Sequence, residues 1–408
     1  MRFYRYNEDW ISHLEGGCRS SLIATIRSLG LERLQKYPPP KLTGLPFGNE
    51  TRIVSRFLGG RSSQLDASAL SSLYRSFMPA GDRQLYRAFR QNEYLPPEEW
   101  RLLIGSPNVD LWIENKFLTA DAQGNLQCQF SVVAVDGLLF ASDPLKDHGR
   151  TWEPGHVFDT KDPRSEDVHP FHHTYMGLDS LRMIEVMEAD LLPGGGRYLD
   201  CGPGSGSLLL YFSRRFQEAV GIDLNARAAK LSRFNADLNE LSNVTTYNDN
   251  AIELAGKYGR FDLLSWNLPF IFMPNEDEKT YIDGFGGELG IGLCLKFIET
   301  LPSIMTQSGI ACVAALAPIT EKGDNVLEAR LRDLIPKVGL DCTVQVAQIS
   351  VAHNRELWDF HRSYGLTKFE SVYLWLKPGT GKLTRKETPW FRKAVDTVRE
   401  RLYSRKFA

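Results

Sequence analysis

This sequence has no apolar run approaching the roughly eighteen residues that a membrane-spanning helix needs. That excludes a helical channel or transporter. Charge of one sign is also missing: 48 Lys and Arg stand against 50 Asp and Glu, for a net charge of −2. A dedicated nucleic-acid binder carries a basic surplus, so this balance weighs against one. Cysteine is sparse. The six (Cys18, Cys128, Cys201, Cys294, Cys312, Cys342) are scattered and form no C-x-x-C pair, which excludes zinc ribbons and dithiol redox motifs. Free thiols fit a reducing compartment, and the cytoplasm is the expected location. The start, Met1 to Asp9, lacks the basic-then-apolar layout of a signal peptide. Repeats and long low-complexity tracts are absent. His169, His172 and His173 lie close together but lack a partner at a ligand spacing, so no metal is expected.

At 408 residues with 42% hydrophobic content, the chain can build two domains with proper cores. Its most informative stretch begins at Arg197-Tyr198-Leu199. This runs into Asp200-Cys201-Gly202-Pro203-Gly204-Ser205-Gly206 and then the apolar Ser207-Leu208-Leu209-Leu210. The pattern reads as strand, tight glycine turn, helix. Glycines at alternate positions let the backbone bend sharply and approach a ligand with no Cβ in the way. Bare amides and the positive end of the next helix then face that ligand. A second strand closes at Asp223, whose carboxylate can accept both hydroxyls of a ribose. Together these describe a nucleoside-binding α/β fold. Cys201 reads as a small residue within the turn, not a nucleophile.

The dinucleotide fingerprint is G-x-G-x-x-G. Here the third glycine falls one residue early, and D-x-G-x-G-x-G resembles motif I of class I S-adenosylmethionine (SAM) methyltransferases. Apolar Ala228, Leu231, Phe234, Leu238 and Leu241 give a helix over 225–241. A third strand at 244–247 ends at Asn248-Asp249-Asn250. In such enzymes an acidic residue there accepts the adenine amino group, and Asp249 matches. The resemblance therefore implies a cofactor site of Asp200, Gly202, Gly204, Gly206, Asp223, Leu224, Asp249, Asn250 and Asn267.

A fourth strand over 261–266 delivers Asn267-Leu268-Pro269-Phe270. This resembles motif IV of amino-methylating enzymes, both the HemK-type glutamine methyltransferases and several rRNA base methyltransferases. A planar exocyclic nitrogen is a poor nucleophile because its lone pair is delocalised. The Asn267 amide oxygen and the Leu268 carbonyl can accept both of its N–H bonds and turn the lone pair toward the SAM methyl. Pro269 stiffens the loop, and Phe270 offers a face for a flat group. Leu268 and Phe270 depart from the Asn-Pro-Pro-Tyr of the glutamine enzymes. The resemblance, covering about 175–376, thus implies N-methylation more firmly than glutamine as acceptor.

Later segments predict helices over 289–301 and 326–335 and strands over 310–316, 342–349 and 370–376. The expected architecture is a seven-stranded Rossmann-like α/β sheet over 166–380, its last pair antiparallel. An α+β, winged-helix-like substrate-recognition or lid module with its linker precedes it over 1–165. A basic amphipathic helix follows over 381–408, with Phe391, Val395, Val398 and Leu402 on one face. Tyr175, before the first core helix, is a candidate substrate contact. Glu276 and Glu278, in an acidic run after motif IV, would attract a cationic amine or guanidinium and repel phosphate. The expected acceptor is a nitrogen of a protein side chain, peptide or small metabolite. The alternatives are an rRNA or tRNA base, or a non-catalytic methyltransferase-like subunit.

Overall fold

In the computed structural model the described residues are 10–14, 16–36, 78–143, 174, 176, 178–189, 194–253, 256–272, 284–350 and 355–386. Tyr175, Glu276, Glu278, the three clustered histidines and the predicted C-terminal helix beyond 386 lie outside them.

The front module opens with α1 (Gly16–Ser28), α2 (Ala80–Phe89), α3 (Pro97–Ile104) and α4 (Ser106–Glu114). Proline stands at the first position of α3, where its missing N–H costs no helical bond. Strands β1 (Leu118–Ala120), β2 (Leu126–Cys128), β3 (Ser131–Val135) and β4 (Leu138–Ser142) follow. They form two separate antiparallel hairpins, β1–β2 and β3–β4. Both turns are written in the sequence. Asp121 Oδ1 accepts the amides of Gln123 and Asn125 in the first. Asp136 (φ 48°) and Gly137 (φ 78°) supply the left-handed pair that a two-residue hairpin needs in the second.

The second part alternates α5 (Leu178–Ala189), β5 (Arg197–Cys201), α6 (Ser207–Ser213), β6 (Glu218–Asp223), α7 (Ala226–Leu238), β7 (Val244–Asn248) and β8 (Phe261–Asn267). Then come α8 (Gly292–Ile304), β9 (Met305–Thr320), α9 (Val326–Val338), β10 (Leu340–Ser350), α10 (Arg355–Ser363), β11 (Leu366–Pro378) and β12 (Leu383–Lys386). All eight strands from β5 onward join one sheet, in the order β12-β10-β11-β9-β8-β5-β6-β7. Only β11 runs against its neighbours. Helices α8 and α9 cover one face with Phe297, Ile298, Leu301, Leu327 and Leu331. On the other face α5 and α6 pack Met183, Ile184, Met187 and Leu209 against Tyr198 and Leu263. Burial on both faces explains the near-continuous apolar strands.

One feature differs from the predicted layout. Residues 383–386, expected inside the C-terminal helix, form an eighth strand parallel to β10. The cause is Asp341, whose Oδ1 accepts the amides of Thr380, Gly381 and Lys382 and turns the chain back along β10. These bonds hold the Asp341 carboxyl below its ordinary range. Apart from the layout, the front module shares a core with the sheet domain. Leu231, Phe234 and Leu238 of α7 are buried among Trp10, Leu22, Phe89, Trp100 and Phe130. Trp10 meets Phe234 edge-on at 6.2 Å.

Candidate active site

The glycine turn, the end of β6, the loop after β7 and the end of β8 all sit at the carboxyl ends of parallel strands. Strand β5 has β6 on one side and β8 on the other, so the chain reverses its winding there, where open α/β sheets bind ligands. A cavity of about 260 Å³ occupies this point. Its walls are the turn at 202–205, Asp223, Leu224 and Asn225, then Asn250 to Ile252, and finally Trp266, Asn267 and Pro269. Thr174, Asp179 and Ser180 close it from the α5 side.

The turn requires glycine. Gly202, Gly204 and Gly206 have φ of 62°, 58° and 85°, a region side chains avoid. A Cβ on Gly202 would lie 3.1 Å from Trp266 Nε1, and one on Gly206 would strike Leu210 at 2.7 Å. Asp223 is nearly buried and accepts the amides of Gly204 at 3.0 Å and Asn225 at 2.9 Å. Asn225 caps α7 through the Arg227 amide. One carboxylate therefore fixes both the turn and the start of the next helix.

Asp200 lies behind the turn, outside the cavity lining, and is buried. Its Oδ1 accepts the Ser265 hydroxyl at 2.6 Å, and Ser265 meets Tyr198 Oη at 2.6 Å. Its Oδ2 has no partner. Burial pushes the carboxyl up to about 8, against the pull of the Ser265 bond. Cys201, beside it, is fully buried, and burial with the nearby Asp200 raises its thiol well above the usual range.

Asn267 stands at a junction. It lines the large cavity and also a second one of about 70 Å³, walled by Arg182 and Glu185 of α5, Phe270, Ala314, and Ser371 and Tyr373 of β11. Asp179 lines both. The Asn267 Nδ2 donates to Ser180 Oγ at 3.2 Å, which fixes the amide's orientation. Its Oδ1 is buried with no partner. An unmet buried acceptor costs about 1–3 kcal/mol, so a ligand donor placed there recovers that energy.

Asp200, Gly206, Leu268, Phe270 and Asp249 are absent from the walls of the large cavity, whereas Gly202, Gly204, Asp223, Leu224, Asn250, Asn267 and Pro269 line it. Leu268 is buried in the core beneath α8. Asp249 does not present its carboxylate to the cavity. Lys257 and Tyr258 Oη engage Oδ2, and the Asn250 amide takes Oδ1. The Lys257 ammonium, foremost, holds this carboxyl below its ordinary range. Asn250, next in the chain, is the residue that reaches the wall.

Sequence reading missed the brace on the α5 side. Thr174 donates its amide to Asp143 Oδ2 at 2.7 Å, and Asp143 also accepts Trp10 Nε1 and the Arg227 guanidinium. It missed the second cavity as well. Among the described residues no group of three or more His, Cys, Asp or Glu is placed to hold a metal, and no helix is long and apolar enough to cross a membrane.

A family model described as a methyltransferase domain matches residues 199–285. A curated Methanocaldococcus jannaschii protein, named as a protein N5-glutamine methyltransferase, is 29% identical over 147 residues, covering 34% of this chain and 68% of that protein. A release factor glutamine methyltransferase of Aliivibrio fischeri is 28% identical over 95 residues, covering 23% of this chain and 34% of its own length. Among solved structures, M. jannaschii TYW2 in complex with AdoMet is 12% identical with a TM-score of 0.38, over 64% of this chain and 92% of that one.

Proposed function

We propose that this chain, a SAM-dependent methyltransferase, methylates a nitrogen on a protein side chain presented to Asn267 through the second cavity. The observation that carries the reading is the buried, unpartnered Asn267 Oδ1 at the junction of the two cavities. The large cavity suits the cofactor. Its left-handed glycines leave the backbone bare, and Asp223, on its wall at the end of β6, is the carboxylate we assign to the ribose. Bound there, SAM supplies an electrophilic methyl on a sulfonium.

The remaining work falls to the chain. Asn267 Oδ1 accepts one N–H of the acceptor and the Leu268 carbonyl accepts the other, so the nitrogen's lone pair points into the large cavity. Ser180 keeps the Asn267 amide from flipping. Phe270 lines the passage and gives a flat group a surface to lie on. The rate then comes mainly from alignment of the two reacting atoms.

The second cavity has space for an acceptor beside Asn267. At about 10–15 Å³ per water-sized position, the second cavity takes about five to seven such positions. That leaves room for a carboxamide or amine with its stem beside Asn267. The two curated relatives, both named as glutamine methyltransferases, favour a carboxamide nitrogen. Incubation with isotope-labelled SAM and fractionated cell extract tests the reading. Label is expected in protein and is lost with Asn267→Ala. Label confined to RNA would overturn it.

A further inference from the structure

Strand β4 has two edges. One faces β3, with Leu138 and Phe140 opposite Val135 and Val133. The other faces α7, where two asparagines take the place of a neighbouring strand. Leu139 donates its amide to Asn239 Oδ1 at 2.8 Å, and Asn239 Nδ2 donates to the Leu139 carbonyl at 2.7 Å. Ala141 donates to Asn235 Oδ1 at 2.8 Å, and Asn235 Nδ2 donates to the Ala141 carbonyl at 2.8 Å. The geometry follows from repeat lengths. Four helical residues rise about 6 Å, and two strand residues advance about 6.8 Å. Amides one helical turn apart therefore match alternate residues along a strand edge.

Asn235 does more than Asn239. Its Nδ2 also donates to the Ser205 carbonyl at 2.8 Å, inside the glycine turn. Ser205 lines the large cavity. Asn235 is fully buried, with both amide hydrogens and the oxygen engaged. One turn earlier, Ser232 Oγ donates to the Gly204 carbonyl at 2.8 Å. These bonds fix two successive peptide planes of the turn, and so fix the direction of the amides on the same planes. By contrast Asn239 touches only β4 and its own helix.

We infer that Asn235 is a positioning residue for cofactor binding: a single buried amide ties the glycine turn to β4, so the front module helps shape the cofactor site. This rests on the reading of the glycine turn as the SAM site. The amide cannot serve the turn at full strength unless Ala141 holds its oxygen, because β4 sets the plane in which Nδ2 reaches Ser205.

The test measures SAM affinity by calorimetry and melting temperature in the full chain, for wild type, N235A, A141P and N239A. Proline at 141 removes the amide that Asn235 accepts. That amide points toward α7 and not into the β3 ladder, and the ring's Cδ enters the space of the Asn235 oxygen, so the variant displaces the Asn235 amide as well. N235A and A141P are expected to weaken SAM binding about tenfold or more, through KM for SAM more than kcat. N239A loses β4 contacts of the same kind, and is expected to lower the melting temperature while holding the SAM dissociation constant within about twofold. Equal losses of affinity in N235A and N239A, or none in N235A, would overturn the inference. Should N235A not fold, A141P takes its place: a loss of affinity in A141P beyond that in N239A supports the inference, and an equal or absent loss overturns it. A wild-type chain that does not bind SAM would overturn the cofactor reading, and the inference with it.

Discussion

Asp143 and Arg227, 84 residues apart, meet in a two-bonded ion pair behind the cofactor cavity: Nη1 reaches Oδ2 at 2.5 Å and Nη2 reaches Oδ1 at 2.6 Å. The Asp143 side chain is only 2% exposed and that of Arg227 13%. Trp10 Nε1 and the Thr174 amide also donate to this carboxylate. Removing one partner of such a pair strands a buried charge. Arg227→Ala is therefore expected to cost about 3–5 kcal/mol in chemical denaturation. A loss below about 1 kcal/mol, the range of exposed pairs, would show that water already screens it.

Asn267→Ala should lower turnover by about a hundredfold or more, the scale seen when one preorganised polar group at a reacting centre is removed. SAM affinity should change little, because the amide's free oxygen serves the acceptor. Single-turnover kinetics beside calorimetry separate the two. Unaltered turnover would remove Asn267 from the chemistry.

Asp223→Ala strikes the cofactor instead. It releases the Gly204 and Asn225 amides and deletes the group proposed to hold the ribose. Hydrogen bonds to a charged group are each worth about 1.5–3 kcal/mol, which corresponds to a loss of about 10- to 100-fold in SAM affinity. An unchanged dissociation constant would move the ribose contact elsewhere.

Asp200 gives a pH signature. Its carboxyl is raised from 3.8 to about 8 in the folded chain, chiefly by burial. Between those values the folded state holds a proton that the unfolded state has lost. Stability from this group is thus fully present below the unfolded value, falls by about 1.4 kcal/mol per pH unit as pH rises through the window, and levels off above the folded value. Asp200→Asn should flatten that slope between pH 5 and 8. Parallel profiles for variant and wild type, from denaturation midpoints across that range, would mean that Asp200 is ionised when buried.

The parts of the site legible in the sequence were those encoded locally. The glycine turn, Asp223 and the Asn267 loop each need only a fixed spacing after a strand, and the structure brings them to one cavity. Asp249 had the right spacing too, but Lys257 and Tyr258, eight and nine residues on, compete for its carboxylate. Spacing along a strand cannot rank such competitors. The second cavity draws its walls from α5, β9 and β11, so no contiguous motif announces it. Strand β12 hinged on three amides converging on Asp341, and the basic composition of the tail masked it. One signal in the sequence does point to the brace on β4: Asn235 and Asn239 sit four apart beside the buried face of Leu231, Phe234 and Leu238. Buried amides at that spacing need partners, and the nearest candidate is a strand edge.

With β3 on one flank and asparagine amides on the other, β4 has no unsatisfied flank at Leu139 or Ala141. Such edges are where stray chains add themselves, so here side chains of another domain shield the hairpin from self-association. The same arrangement limits what evolution can exchange. A substitute front half grafted near residue 143 would have to bring a hairpin whose alternate backbone groups fall opposite positions 235 and 239. The two halves thus fit only as a matched pair.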